Sequence, residues 1–216
     1  MVATLLRGHQ SFRREYVAGA RTLLERLASD GQSPDALFVG CSDSRVVPEL
    51  LTTSSPGDIF VVRNVANLVP EMAHADASVG AAIEYAVGIL KVPHIIVCGH
   101  TRCGGIKAAL EFDPHETHLP QLGEWLASAS VRIARSDPAL DTDARWDRAA
   151  QENVVQQLAN LTTFPVVRQA LDEGKLALHG WVYDIIANHL HVWDVTVERF
   201  VDADAVLAAD AADAVA

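Results

Sequence analysis

Three short apolar runs constrain this chain most: ALFVG at 36–40, DIFVV at 58–62 and HIIVCG at 94–99, each bounded by Gly, Pro or polar residues. Apolar runs of this length, continuous rather than alternating, mark strands buried on both faces. Between the second and third lies ADASVGAAIEYAVGIL (75–90), Ala-rich and long enough for a helix. A strand, helix, strand alternation predicts a parallel sheet covered by helices. Ahead of it, Leu5, Phe12, Tyr16, Ala20, Leu23, Leu24 and Leu27 recur at helical spacing among many charges, which predicts one or two amphipathic helices ending near Asp30 and Gly31. After Cys103 a further helix starts near Gly105, followed by a polar loop around DPHETH and two or three helices across 120–173. LALHGWVYDI (176–185) and HLHVWDVTV (189–197) alternate as an antiparallel strand pair would. The tail VDADAVLAADAADAVA reads as a terminal helix or a frayed end. Neither an internal repeat nor a Gly/Ser/Pro-rich linker divides the chain, so one domain over 1–216 is expected.

Composition excludes several classes of function. The 216 residues carry 28 acidic against 17 basic side chains, a formal charge of −11, with no Lys/Arg cluster. Neither nucleic acid nor an anionic membrane is expected as a partner. No apolar run approaches the roughly 20 residues that span a bilayer. The N-terminal stretch shows no apolar signal core with a small-residue cleavage site, so a cytoplasmic location is expected. Three cysteines, an odd number, make no disulfide framework and read as thiols or metal ligands.

Two stretches carry chemistry. CSDSR (41–45) and CGHTRCGG (98–105) each follow a predicted strand, so Cys41 and the His100/Cys103 pair fall on the carboxyl rim of the sheet, where open α/β folds bind ligands. His100 and Cys103, three apart across a turn that opens a helix, can aim imidazole and thiolate at one point. Two thiolates and an imidazole suit Zn²⁺. Singly, each cysteine is more often a small buried hydrophobe; their shared placement after a strand is what points to a metal. Cys98 leaves two readings open. With it the site would be a closed Cys₃His set, structural in character; without it, three ligands and an exchangeable position remain, as in catalytic sites. Cys98 lies about 6 Å deeper along its strand than His100, which favours a buried, non-coordinating thiol.

CSDSR, then RNVAN (63–67), then CGHTRCGG, in this order and spacing, resembles the β-class carbonic anhydrases. The likeness runs from about Gly31 to Tyr183 and includes AAIEYAV (81–87) and HGWVYD (179–184). It implies an α/β fold with a mostly parallel central sheet, four parallel strands plus an antiparallel edge strand, flanked by helices. An N-terminal helical arm (1–30), a catalytic core (31–200) and a C-terminal tail (201–216) are expected. It further implies one Zn²⁺ per chain on Cys41, His100 and Cys103, and a catalytic pair Asp43 and Arg45. Family members are known with the aspartate on the metal, shutting the site, and with it held off by the arginine, leaving the fourth position open. The implied reaction is reversible hydration of CO₂ to bicarbonate and a proton by zinc-bound hydroxide.

Pocket residues separate two subgroups. The always-open pattern places substrate-binding residues at Gln32, Phe60 and Tyr85, with the Gly104 backbone. The pattern that switches shut uses a second, allosteric bicarbonate site on a tryptophan, an arginine and a tyrosine. Arg63 and Tyr183 match it, but Phe38 stands in the tryptophan's place and supplies no N–H donor. The open form is therefore expected, with Arg63 and Tyr183 as ordinary core and interface residues. The family also implies a homodimer or higher even homo-oligomer, whose arms wrap the partner and whose Gln32, Phe60 and Tyr85 could serve the neighbouring zinc. His115, His118 and His179 are proton-shuttle candidates by residue type alone. Two alternatives stay open: hydrolysis of COS or CS₂ by the same chemistry, and a non-catalytic Cys₃His zinc or redox protein.

Overall fold

The apolar runs form strands where their spacing places them. A computed structural model describes residues 1–111, 118–133 and 141–213. Its six strands are β1 (Ala36–Cys41), β2 (Ile59–Asn64), β3 (His94–His100), β4 (Ala177–Asp184), β5 (His189–Asp194) and β6 (Arg199–Asp202), ordered β2-β1-β3-β4-β5-β6. The first four strands in that order run parallel, and β5 and β6 continue antiparallel. The helices are α1 (Val2–Asp30), α2 (Pro48–Thr52), α3 (Ala77–Glu84), α4 (Gly104–Leu110), α5 (Pro120–Ile133), α6 (Thr142–Leu161), α7 (Pro165–Asp172) and α8 (Ala203–Asp213). The expected α/β sheet is present, with one strand more than expected. That strand, β6, straddles the boundary set at 200/201, so the tail begins inside the sheet and continues as α8.

β1 and β3 lie at the centre and are buried on both faces, which is why they read as unbroken apolar runs. On one face Leu37, Val39, Ile95 and Val97 pack under Val79 and Ile83 of α3, Val154 and Leu161 of α6, and Val167 of α7. On the other, Phe38, Ile96 and Cys98 form a smaller cluster, with Phe38 edge-on to Trp181 at 6.2 Å between ring centroids. The helix expected over 75–90 starts on an Asp76 cap, whose side chain accepts from the Ser78 and Val79 amides. It widens into a π-turn at Tyr85–Leu90 and ends at Lys91 in the left-handed region.

α6 carries polar residues within its buried stripe. Asn153 and Gln157 are 1% and 3% exposed, among Ala149, Ala150, Val154 and Leu161. Buried amides need partners, and these find them in the loop after β2. Asn153 Nδ2 donates to the Ala66 carbonyl (3.0 Å), Gln157 Oε1 accepts from the Val69 amide (2.7 Å), and Asn160 Nδ2 donates to the Val69 carbonyl (2.8 Å). Gln157 Nε2 ties the ladder together by donating to Asn153 Oδ1 at 2.9 Å.

α1 behaves differently. It is one helix of 29 residues, and none of them is buried. Leu5, Leu6, Phe12 and Tyr16 are exposed. Its C-terminal end is seated closely: Leu27 fits against Gly57, where a Cβ would stand 2.7 Å from Leu27 Cδ2 and where φ is +98°.

Candidate metal centre

The parallel register sets the rim. Gly40 pairs with Cys98, so Cys41, the last residue of β1, stands level with Gly99, and His100 ends β3 one residue further on. A two-residue turn, Thr101 and Arg102, then delivers Cys103 to the start of α4. That turn is anchored to β4: the Thr101 amide donates to the Tyr183 carbonyl (3.0 Å), and the Ile185 amide donates to Thr101 Oγ1 (3.1 Å). The two predicted motifs thereby meet. Cys41 Sγ, Cys103 Sγ and a His100 ring nitrogen all lie within 4.8 Å of one another, and all three residues are buried.

Each donor atom is prepared for a cation. His100 Nδ1 lies 2.9 Å from the Thr101 carbonyl oxygen, which only accepts, so Nδ1 carries the hydrogen. His100 Nε2, buried and without a hydrogen-bond partner, is left as a lone pair. The two sulfurs are 3.7 Å apart. The hydrogen bond from Cys103 holds the Cys41 thiol well below the usual thiol range, aided by the backbone N–H groups of Asp43 and Ala66 and opposed by burial. Cys103 is pushed up in turn, first by its hydrogen bond to Cys41 and then by burial. One thiolate is thus stable here, and a second, 3.7 Å from the first in a buried site, needs a positive charge beside it. Two thiolates and an imidazole lone pair fit Zn²⁺.

Cys98 lies outside this group. It is fully buried in the Phe38/Ile96 cluster, and its thiol points to the Gly99 carbonyl at 3.5 Å. Burial, with the nearby Cys41 adding to it, pushes its thiol up to about 12. Among the described residues only Cys41, His100 and Cys103 gather as a metal-ligating trio.

Beside the trio, Asp43 is gripped by Arg45. Arg45 Nε donates to Oδ1 at 2.9 Å, Nη2 to Oδ2 at 2.7 Å, and the Arg45 amide to Oδ1 at 3.0 Å. This is a bidentate, charge-assisted clamp. The Arg45 side chain, helped by its own amide and opposed by burial, holds the Asp43 carboxyl well below the usual carboxylate range. Oδ2 nevertheless faces the site, 3.8 Å from His100 Nε2. The loop carrying Asp43 is braced by Arg63, which donates to the carbonyls of Cys41 (2.9 Å), Asp43 (2.7 Å) and Val46 (2.6 Å).

The other named residues scatter. Phe38 is packed on Trp181, Arg63 serves the three carbonyls, and Tyr183 Oη donates to Asn188 Oδ1 at 2.9 Å. Phe60 and Tyr85 stack at 5.9 Å between centroids. Gln32 is exposed between α1 and β1. Gly104 is exposed at the start of α4, with open space where a Cβ would point. His179 hydrogen-bonds His94 at 3.2 Å, near the amino ends of their strands. His118 is exposed and His115 lies outside the described residues.

The sequence reading missed the supports. Gly105 lets α4 approach the loop after β2, since a Cβ there would stand 2.8 Å from Val65 Cγ1 and 3.0 Å from the Ala66 backbone. The Asn153/Gln157/Asn160 ladder holds that same loop, whose Ala66 amide serves Cys41. The signal for it was there: amides at i, i+4 and i+7 on the apolar stripe of a helix.

Comparisons with known proteins agree with this geometry. The family model described as carbonic anhydrase matches residues 36–190. A carbonic anhydrase of Pseudomonas aeruginosa is 42% identical over 199 residues, covering 91% of this chain and 90% of the relative. One of Synechococcus elongatus is 40% identical over 184 residues, covering 84% of this chain and 67% of the relative. Among solved structures, the β-carbonic anhydrase CcaA superposes with a TM-score of 0.89 at 38% identity, covering 93% of this chain and 91% of that one. A structure reported among two tetrameric β-carbonic anhydrases of Sordaria macrospora gives 0.79 at 33% identity, with 88% and 95% covered. The chain belongs to the carbonic anhydrase family, in its β class.

Proposed function

We propose that this chain catalyses the reversible hydration of CO₂ to bicarbonate and a proton, with one zinc ion held by Cys41, His100 and Cys103. The observation that carries the reading is the withheld carboxylate. Three donor groups converge while the nearest further ligand, Asp43, has both oxygens engaged by Arg45. Zinc, when bound, supplies a Lewis acid that makes hydroxide available near neutral pH. Asp43, ionised beside Arg45, would accept at Oδ2 a hydrogen bond from the hydroxide that zinc supplies and so orient it towards the substrate carbon. Arg45 keeps that carboxylate in place as acceptor and away from the metal. The Gly104 amide, beside open space, helps to place substrate.

The apolar wall comes from a second copy of the chain. Phe60 pairs with Leu37, four residues before the Asn64/Cys41 level, so it stands about 13 Å down the sheet from its own Cys41. It cannot line its own chain's site. The Phe60/Tyr85 stack, with Gln32, therefore serves a neighbouring subunit. The unpartnered α1, with Phe12 and Tyr16 exposed, is the surface that grips this neighbour. We read the protein as an even homo-oligomer, in keeping with its similarity to a β-carbonic anhydrase whose structure is described as tetrameric. No helix among the described residues is long and apolar enough to cross a membrane. Three free thiols favour a reducing compartment, which supports the cytoplasm.

Zinc content and zinc-edge X-ray absorption on the purified protein test the site. The expected shell is two sulfurs at about 2.3 Å and two lighter atoms at about 2.0 Å. Three sulfurs would establish the closed set with Cys98 and sink this reading.

A further inference from the structure

The first turns of α6 touch the metal loops at two further points. Arg102, between His100 and Cys103, has φ +58°. A non-glycine residue persists there only where its surroundings fix it, and α6 does so. The Arg102 amide donates to Asp147 Oδ1 at 3.0 Å. Its guanidinium lies 2.7 Å from Asp143 Oδ2 and 5.7 Å over the Trp146 ring. Held in this way, the Arg102 carbonyl accepts from Arg45 Nη2 at 3.1 Å, and that same nitrogen donates to Asp43 Oδ2 at 2.7 Å. One residue on, Trp146 Nε1 donates to the Cys103 carbonyl at 2.6 Å.

Arg45 needs such an anchor because it is long and its side chain is 49% exposed. Without the Arg102 carbonyl, its Nη2 would hold only Asp43, and the pair could shift together towards the metal. The left-handed turn at Arg102 is what aims the carbonyl. We propose that Asp147 and Trp146 are positioning residues for the reaction. Asp147, through the backbone of Arg102, fixes the guanidinium that withholds Asp43, and Trp146 fixes the ligand Cys103. Neither touches substrate or metal. The proposal rests on the roles given to Asp43 and Arg45 above.

The test uses the full-length, zinc-loaded protein and its Co²⁺-substituted form. Asp147→Ala should lower hydration about tenfold, the scale of lost outer-sphere support at metal sites, and should give a visible Co²⁺ spectrum matching that of Arg45→Ala. In an Arg45→Ala background, Asp147→Ala should add less than a twofold loss, since its route is already cut. Asp147→Asn, which keeps the acceptor, and Arg102→Gly, which keeps the amide and takes positive φ without strain, should both stay within about threefold of the parent. Trp146→Phe should raise the rate of zinc release to a chelator about tenfold. The proposal is overturned if Asp147→Ala leaves the Co²⁺ spectrum unchanged, or if its loss multiplies with that of Arg45→Ala. It is equally overturned if Arg102→Gly loses as much as Asp147→Ala, which would make the ion pair of Arg102 Nε with Asp147 Oδ2, 3.6 Å apart, the cause. Should Asp147→Ala fail to fold, Asp147→Asn and Arg102→Gly decide the matter on their own. Spectra and zinc release are read without turnover, so they fail separately from the hydration reading.

Discussion

Replacing Asn153 by Ala tests whether the buried amide ladder of α6 holds the loop that serves Cys41. Asn153 is 1% exposed; its Nδ2 donates to the Ala66 carbonyl at 3.0 Å and its Oδ1 accepts from Gln157 Nε2 at 2.9 Å. The substitution strips the carbonyl of its donor and leaves Gln157 Nε2 with only the residue-153 carbonyl, 3.2 Å away. A buried polar group left unpaired costs about 1–3 kcal/mol. With one group fully stripped and one partly, about 2–4 kcal/mol of stability should go, a large share of the roughly 5–15 kcal/mol typical of a folded domain. Urea unfolding of the metal-free protein should show the midpoint falling with an unchanged slope. Arg148→Ala on the same helix breaks only a solvent-facing pair with Glu152 and should cost less than about 0.5 kcal/mol. Because the Ala66 amide supports the Cys41 sulfur, Asn153→Ala should also release zinc faster. A loss under about 1 kcal/mol, indistinguishable from Arg148→Ala, would refute the reasoning.

Gly105→Ala drives a Cβ to 2.8 Å from Val65 Cγ1 and 3.0 Å from the Ala66 backbone; it should cost about 1–3 kcal/mol by thermal denaturation and weaken zinc binding. Cys98→Ala should leave zinc content unchanged, and in the folded apoprotein Cys98 should resist an alkylating agent that modifies Cys41, since its thiol is pushed up to about 12 while that of Cys41 is lowered. The Asp43 carboxyl is lowered on folding, so its stabilisation is present above about pH 4 and lost as pH falls through the folded value; Asp43→Asn should flatten the acid limb of a stability–pH curve. His179 is also lowered, by burial and then by His94, so its neutral form is favoured on folding. Stability tied to it holds above about pH 6.5 and declines below, and His179→Gln should narrow the difference in melting temperature between about pH 7.5 and 5.5.

The sequence told most about the parts that repeat a physical rule. Continuous apolar runs mark β1, β2 and β3, and their common carboxyl rim is enough to bring Cys41 beside His100 and Cys103. The depth of Cys98 in its strand was enough to separate it from the trio. Other features depend on contacts far apart in the chain. The short strand β6, RFVD, is too brief and too polar to announce itself. Arg63 is expected to be an ordinary core residue, but the three carbonyls it donates to are not visible in sequence. Trp146 and Asp147 lie more than forty residues beyond the turn they hold, and nothing local marks a tryptophan N–H as aimed at a ligand's carbonyl. How far Phe60 stands from its own Cys41 is set by register and strand rise, which no motif displays.

Stopped-flow CO₂ hydration at pH 7.0 and 8.5, on protein whose zinc has been counted, bears most directly on an open site with Asp43 withheld by Arg45. One zinc per chain with hydration at both pH values is the expected result. Zinc bound at one per chain with no hydration at pH 8.5 would contradict the reaction, and activity that collapses below about pH 8 would place Asp43 on the metal rather than on Arg45.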